Sequence, residues 1–155
     1  MPSPITTLHD EQQLIISLVA LMKQEQQFLV RADSDGLSAI TPQKSALVQQ
    51  MAALASQRHH ALGAAGSAAS EAGMEHWLAS GNDDGARTAW LELLERTREA
   101  KELNRVNGML INKQMTNTQV ILNAMRTPAG GADTGFYGPS GQTTTAGPSR
   151  RFVVG

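Results

Sequence analysis

A row of inward-facing helix positions, which we call the seam, runs without interruption through the stretch 82–126. It constrains the fold of this chain more than any other feature. From Trp90 to Met125 the seam positions recur at alternating steps of three and four residues. This spacing is typical of helices that pack lengthwise against other helices. The sequence therefore predicts a long last helix over 83–126, capped by Asn82. Its seam positions are Trp90, Leu93, Thr97, Ala100, Asn104, Asn107, Ile111, Gln114, Thr118, Ile121 and Met125.

The middle of this seam is polar, whereas its two ends are apolar. Asn104, Asn107 and Gln114 carry amides that need hydrogen-bond partners if they are covered. The same amides cost little if they face water or an incoming helix. Apolar residues flank them and supply the edges of a groove. The pattern predicts that the C-terminal half of the helix captures a helical segment of another protein.

Glycines, prolines and capping residues divide the rest of the chain into helices. Asp33–Gly36 ends the first helix, and Thr41 with Pro42 marks the start of the second. We therefore expect an all-α fold, in which an antiparallel N-terminal hairpin packs on the long helix as a three- to four-helix, coiled-coil-like bundle. The predicted single domain covers 1–126, with helices at 5–32, 42–62, 70–80 and 83–126.

Composition supports this class and excludes others. Aromatic residues make up 4% of the chain, so Ala and aliphatic residues must build the core. A net charge of -1 gives no attraction to nucleic acid or to an anionic membrane. No apolar run approaches the roughly 20 residues that span a bilayer, and no signal peptide is recognisable. We expect a soluble cytoplasmic protein.

The segment 127–155 has a different composition. It holds seven of the 14 glycines and many Thr, Ser and Pro residues, so it cannot bury enough apolar surface to become ordered. We predict a flexible tail. Within it, Phe136 and Tyr137 are isolated apolar residues of the kind found in short docking motifs; a solvated tail without function is the alternative.

Two cations lie on the apolar stripe of the second helix. Lys44 and Arg58 are expected to lay their aliphatic stems along the core while their charges reach water or a carboxylate. A binding role is the alternative interpretation.

The spacing of the histidines predicts no metal site. The adjacent His59 and His60 point about 100° apart on a helix, so they cannot share a metal ion well.

No constellation of catalytic residues is recognisable. The sequence has no cysteine, and no Ser-His-Asp or two-carboxylate arrangement can be defended. The charged residues between 92 and 105 form helical ion pairs on a solvated face. We therefore predict a protein that is not an enzyme and binds no cofactor.

The predicted hairpin carries Lys44 and Arg58 on its second helix. The motif Asn104-x-x-Asn107-Gly-x-Leu110-Ile111 lies on the long last helix. The Gly-rich tail contains Tyr137-x-x-x-Gly141 and a closing Arg-Arg. Together these three features resemble the FlgN-like family of flagellar type III export chaperones.

The resemblance implies a cytoplasmic chaperone for hook–filament junction (hook-associated) proteins. Such a chaperone holds the C-terminal helical segment of its cargo, prevents premature assembly and delivers the cargo to the export gate. Tyr137 and Gly141 would then dock on the export apparatus or fold over bound cargo. The expected cargo-binding residues are Asn104, Asn107, Leu110, Ile111, Gln114, Asn117, Thr118, Ile121 and Met125.

Two other function classes use the same pattern. A structural coiled-coil homodimer would bury the seam without a foreign ligand, and a general helical adaptor would bind another protein without a role in export. A weak homodimer is also compatible with the chaperone hypothesis. A helical-bundle enzyme would require a bound metal or cofactor.

Overall fold

The computed structural model describes residues 2–81, 83–126, 136–137 and 143–144. Its two compact units are Met1–Gln114 and Met115–Gly155. The all-α prediction is confirmed, since the described core is helical. The helices are α1 (Leu8–Arg31), α2 (Ser34–Ala64), α3 (Glu71–Ala79) and α4 (Asp84–Arg126). The strands are β1 (Phe136–Tyr137) and β2 (Thr143–Thr144).

A tight turn joins α1 to α2. Ala32 adopts a left-handed conformation with φ 55°, and its N–H bonds to the carbonyls at the end of α1. The side chain of Asp33 then accepts a hydrogen bond from the Gly36 N–H at 2.9 Å, which caps α2. Because a Cβ on Gly36 would lie 2.7 Å from the Phe28 ring, glycine is needed here for the close approach of the two helices.

The predicted start of the second helix at Pro42 is wrong. The helix begins at Ser34, and Pro42 lies inside it. Proline removes one backbone hydrogen bond, but side chains around it bond to neighbouring carbonyls: Thr41 Oγ1 donates to Leu37 O at 2.7 Å. The Asp33 cap therefore overrides the Thr41–Pro42 start signal.

The core of the first unit lies where all four helices meet. α1 and α2 form the antiparallel hairpin, and polar contacts show that α4 runs parallel to α1. Those contacts are Gln12–Ala89, Lys23–Glu99 and Met22–Asn107. The core side chains are Leu8, Ile15, Leu18, Val19, Met22, Leu62, Met74, Leu78, Ala86, Trp90, Leu93 and Ala100.

α3 closes one end of this core. Met74 is fully buried, whereas Trp77 is only partly buried. The backbone of Gly73 lies so close to Ala68 that a Cβ would fall 1.8 Å from the Ala68 carbonyl oxygen. Only glycine fits at this position without displacing the segment between α2 and α3.

α4 starts one residue later than expected, at Asp84. The carboxylate of Asp83 accepts the Ala86 N–H at 3.0 Å and so occupies the capping position that we assigned to Asn82. Asn82 itself lies outside the described residues. The helix continues through Gly108 to Arg126.

Replacing Gly108 by alanine should stabilise the protein. A Cβ at this position meets no atom within 4 Å, and glycine inside a helix is about 1 kcal/mol less favourable than alanine. We expect Gly108→Ala to raise the free energy of unfolding in urea by about 1 kcal/mol. Gly73→Ala is the control and should lower the free energy of unfolding. Equal effects of the two changes would contradict this account.

Most of the predicted tail, 127–155, lies outside the described residues. The described part is the antiparallel pair of strands, in which Phe136 faces Thr144 and Tyr137 faces Thr143. The flexibility predicted for the segment remains a prediction. Among the described residues, no helix has the length and apolarity needed to cross a membrane.

Candidate protein-binding surfaces

Arg58 lies at the centre of a buried ion-pair cluster. Only 2% of the residue is exposed. Its Nε donates to Glu11 Oε1 at 3.0 Å, and its Nη2 donates to Glu11 Oε2 at 3.1 Å and to Glu71 Oε1 at 2.9 Å. Thr7 Oγ1 donates to the same Glu11 carboxylate at 2.7 Å. This Arg58 cluster links α1, α2 and α3.

The cluster also reaches α4 through an aromatic contact. The guanidinium carbon of Arg58 lies 4.6 Å from the centroid of the Trp90 ring, within the range of a cation–π interaction. The prediction that the Arg58 charge reaches water or a carboxylate is confirmed for the carboxylate. Its stem and its charge are both buried, so the guanidinium is an internal part of the fold.

Hydrogen bonds and neighbouring charges shift the pKa values of Arg58 and Glu71 in favour of their ionised forms. Burial alone would lower the pKa of Arg58, but hydrogen bonds and charge from Glu11 and Glu71 outweigh it and raise the pKa. Burial likewise acts to raise the pKa of Glu71. The hydrogen bond and charge of Arg58, followed by those of His59, reverse this effect and lower the Glu71 pKa overall.

The lowered pKa of Glu71 predicts a loss of stability in acid. The ionised form is favoured in the folded state, so its contribution is present above the ordinary value of 4.5 and is lost as the pH falls through the lower folded value. Urea unfolding between pH 7 and pH 3 should show Glu71→Gln less stable than wild type at neutral pH, with the difference vanishing in acid. Because Glu71 is more than half exposed, we expect a difference of at most about 1 kcal/mol.

Glu75→Gln, an exposed change on the same helix, is the matched control and should track wild type throughout. A constant difference between Glu71→Gln and wild type at all pH values would contradict the role of the charge.

A second buried cluster surrounds Glu25 near the other end of the hairpin. Lys44 Nζ donates to Glu25 at 3.1 Å and also to Asn104 Oδ1 at 3.3 Å. Asn107 Nδ2 donates to Glu25 Oε1 at 2.8 Å and to the Met22 carbonyl at 2.9 Å. This Glu25 cluster connects α1, α2 and α4.

The expectation that Asn107 faces water or an incoming helix is wrong. The residue is 1% exposed, and α1 supplies both acceptors for its Nδ2 group. Asn104, one turn earlier, is exposed but accepts its bond from Lys44. Residues of this chain therefore already provide some of the hydrogen bonds that the polar side chains in the middle of the seam need.

Sequence reasoning missed Glu11 and Glu25, although the signal was present. Both acids lie at the three- and four-residue steps that connect Leu8, Ile15 and Leu29 along α1. An acid on one apolar stripe and a base on the stripe of its hairpin partner indicate an interior ion pair.

The predicted cargo-binding residues fall in both units. In the first unit, Leu110 and Gln114 are half-buried and Ile111 is 40% exposed. In the second unit the predicted residues are exposed: Asn117, Thr118, Ile121 and Met125. Tyr137 lies in β1, and Gly141 lies outside the described residues.

The second unit exposes a group of large apolar side chains on α4. Met115, Ile121, Leu122 and Met125 are 62%, 58%, 46% and 78% exposed. Their spacings of three, four and seven residues place them on one side of the helix. Val120 is also exposed, at 50%, but its position in the sequence places it on the opposite side. We call the four residues the Met115–Met125 surface.

The described residues contain no group of three or more His, Asp or Glu side chains arranged to hold a metal ion. His59 instead pairs with Glu71, with 3.1 Å between Nε2 and Oε1.

The antiparallel hairpin and the long fourth helix define an all-α helical bundle. A comparison with models of protein families matches the FlgN protein family over residues 1–145. The chain belongs to this family, which is a family of flagellar export chaperones, as the resemblance of its motifs predicted. Searches of curated proteins and of solved structures gave no match.

Proposed function

We propose that this chain is a cytoplasmic chaperone for flagellar hook–filament junction proteins. It binds the C-terminal helical segment of an unassembled junction protein, prevents its premature assembly and delivers it to the type III export apparatus. Family membership supports the chaperone role in general. The cargo, the location and the binding residues are the proposed part.

The Met115–Met125 surface carries this proposal. Large apolar side chains that are 46–78% exposed on one side of a helix favour docking of a second amphipathic helix. Met115 and Met125 are flexible enough to fit related cargo helices. Burial contributes about 25 cal/mol per Å2, offset by the ordering of the partner, so we expect moderate affinity and release without hydrolysis by the chaperone.

Other residues of the predicted surface have supporting roles. Asn117 is an exposed amide of the second unit. Asn104, Leu110 and Ile111 lie in the first unit, and their role in cargo binding is proposed from the sequence pattern alone. Gln114 and Thr118 already have interaction partners, so the proposal does not depend on them. Asn107 is left out because it is buried.

The test is calorimetry with the C-terminal helical peptide of a junction protein. We expect Ile121→Asp combined with Leu122→Asp to weaken binding at least about tenfold, because both carboxylates would be desolvated by the docked helix. Val120→Asp, an equally exposed change on the opposite side of α4, is the matched control and should bind like wild type. Equal affinity of all three proteins would contradict the site, and a cargo-insensitive dimer in sedimentation would favour the homodimer.

Tyr137 and Gly141 are proposed to contact the export gate. A Tyr137→Ala variant that binds cargo normally but fails to support its secretion would support this role. Normal secretion by the same variant would exclude it.

A further inference from the structure

The Met115–Met125 surface presents two thioether sulfurs to the solvent. Met115 and Met125 are 62% and 78% exposed. The sequence contains no cysteine, so methionines are the only sulfur-containing residues of the chain. No thiol of this protein can consume an oxidant first, and the exposed methionines are therefore its accessible targets for a peroxide.

Three other methionines differ from these two in their surroundings. Met22 and Met74 are 5% and 0% exposed, so an oxidant in water does not reach them. Met109, in the first unit, is 59% exposed, but Arg105 Nη1 donates a hydrogen bond to its sulfur at 3.1 Å. This bond engages the lone pair with which the sulfur would attack an oxidant. Among the described residues, no hydrogen bond is donated to either sulfur of the Met115–Met125 surface.

We propose that peroxides switch off cargo docking by oxidising Met115 and Met125 to methionine sulfoxide. This inference rests on the function proposed above, in which a cargo helix covers the same surface. The thioether sulfur attacks one oxygen of hydrogen peroxide, an S–O bond forms and the O–O bond breaks. Each sulfur loses two electrons, and the departing hydroxide takes up the proton of the transferred oxygen and leaves as water.

The sulfoxide oxygen changes what this surface can bury. It is a polar hydrogen-bond acceptor that water satisfies in the free protein. The apolar face of a docked helix offers no donor, so docking removes the bond to water without replacing it. The oxidised surface therefore binds cargo more weakly. The change is reversible, because methionine sulfoxide reductases restore the thioether.

Peptide mapping by mass spectrometry tests the selectivity of this reaction. After brief treatment of the full chain with hydrogen peroxide, we expect Met115 and Met125 to gain one oxygen each while Met74 stays unmodified. Met109 should react more slowly than Met115, although the two are similarly exposed. Arg105→Ala should abolish that difference, because it removes the donor to the Met109 sulfur.

Calorimetry with the junction-protein peptide, added after the peroxide has been removed, tests the switch itself. We expect oxidation to weaken binding by the wild type at least about tenfold. Each variant is compared with its own untreated sample, so a change in its starting affinity does not matter. Met115→Leu combined with Met125→Leu should lose no affinity on oxidation, because leucine has no sulfur. Met109→Leu should lose as much as wild type.

Retention on a hydrophobic-interaction column measures the same surface without cargo. Oxidation should shorten the retention of the wild type and of Met109→Leu much more than that of the double leucine variant. Circular dichroism checks that the treated proteins keep their helices, since oxidation of a core methionine would unfold them.

Four results would overturn the inference: equal oxidation of Met74 and Met115, affinity that oxidation of both surface sulfurs leaves unchanged, an equal loss of affinity in the double leucine variant, or retention that oxidation does not alter. Failure of the proposed function gives a different result, namely an untreated chain that does not bind the cargo peptide. The column, which needs no cargo, then decides whether oxidation removes the apolar docking surface.

Discussion

Arg58→Met is expected to lower the free energy of unfolding by about 3–5 kcal/mol. The change removes the only cation bonded to the buried carboxylate of Glu11 among the described residues. A carboxylate that stays buried without its cation costs far more free energy than the ion pair contributed to stability. The contact between the guanidinium and Trp90 is lost as well. Urea unfolding followed by circular dichroism measures the effect.

Two controls separate burial from charge in this experiment. Arg98 pairs with Glu95 at 3.2 Å on the exposed side of α4, so Arg98→Met should change stability by less than about 1 kcal/mol. The double change Glu11→Met with Arg58→Met should recover much of the loss, because two apolar side chains can fill the same interior space. A double variant as unstable as Arg58→Met alone would mean that lost packing, and not the orphaned carboxylate, is the cause.

Asn107→Ala is expected to destabilise the bundle by about 2–3 kcal/mol while leaving cargo affinity unchanged. The amide donates to Glu25 and to the Met22 carbonyl inside the core, and hydrogen bonds to charged groups contribute about 1.5–3 kcal/mol. The same residue was expected from sequence to contact cargo. Unfolding in urea and calorimetry with the cargo peptide measure the two properties separately.

Asn117→Ala is the matched control on the same helix. Asn117 is exposed, so its replacement should change stability by less than about 0.5 kcal/mol. If Asn107→Ala instead kept full stability and lost cargo binding, the assignment of Asn107 to the interior would be contradicted.

The architecture followed from periodicity, because apolar spacing decides which face of a helix is buried. The steps from Trp90 to Ala100 indicate the part of α4 that lies in the core. The start of α2 could not be predicted in the same way, because Asp33 and Thr41 are two competing capping signals only eight residues apart. Sequence alone gives no measure of which capping interaction is the stronger.

For polar residues on an apolar stripe, the hydrogen-bond partner could not be predicted from the sequence. Their chemistry shows that they need partners, but the sequence does not show whether these come from the same chain or from another. Asn107 was assigned to a foreign helix for this reason, although Glu25 of α1 is its partner. The exposed residues Ile121 and Met125 present no such ambiguity, and for them the binding hypothesis remains a prediction.

The spacing of the two buried ion pairs determines how the hairpin can align. Glu25 follows Glu11 by fourteen residues, and Arg58 follows Lys44 by the same fourteen. If α2 slid along α1 by seven residues in one direction, Glu11 would face Met51 and Lys44 would face Leu18. A slide in the other direction would place Glu25 opposite that same methionine. Either misalignment buries unpaired charges, so the hairpin is confined to one register, much as a single buried polar residue selects the register of a coiled coil.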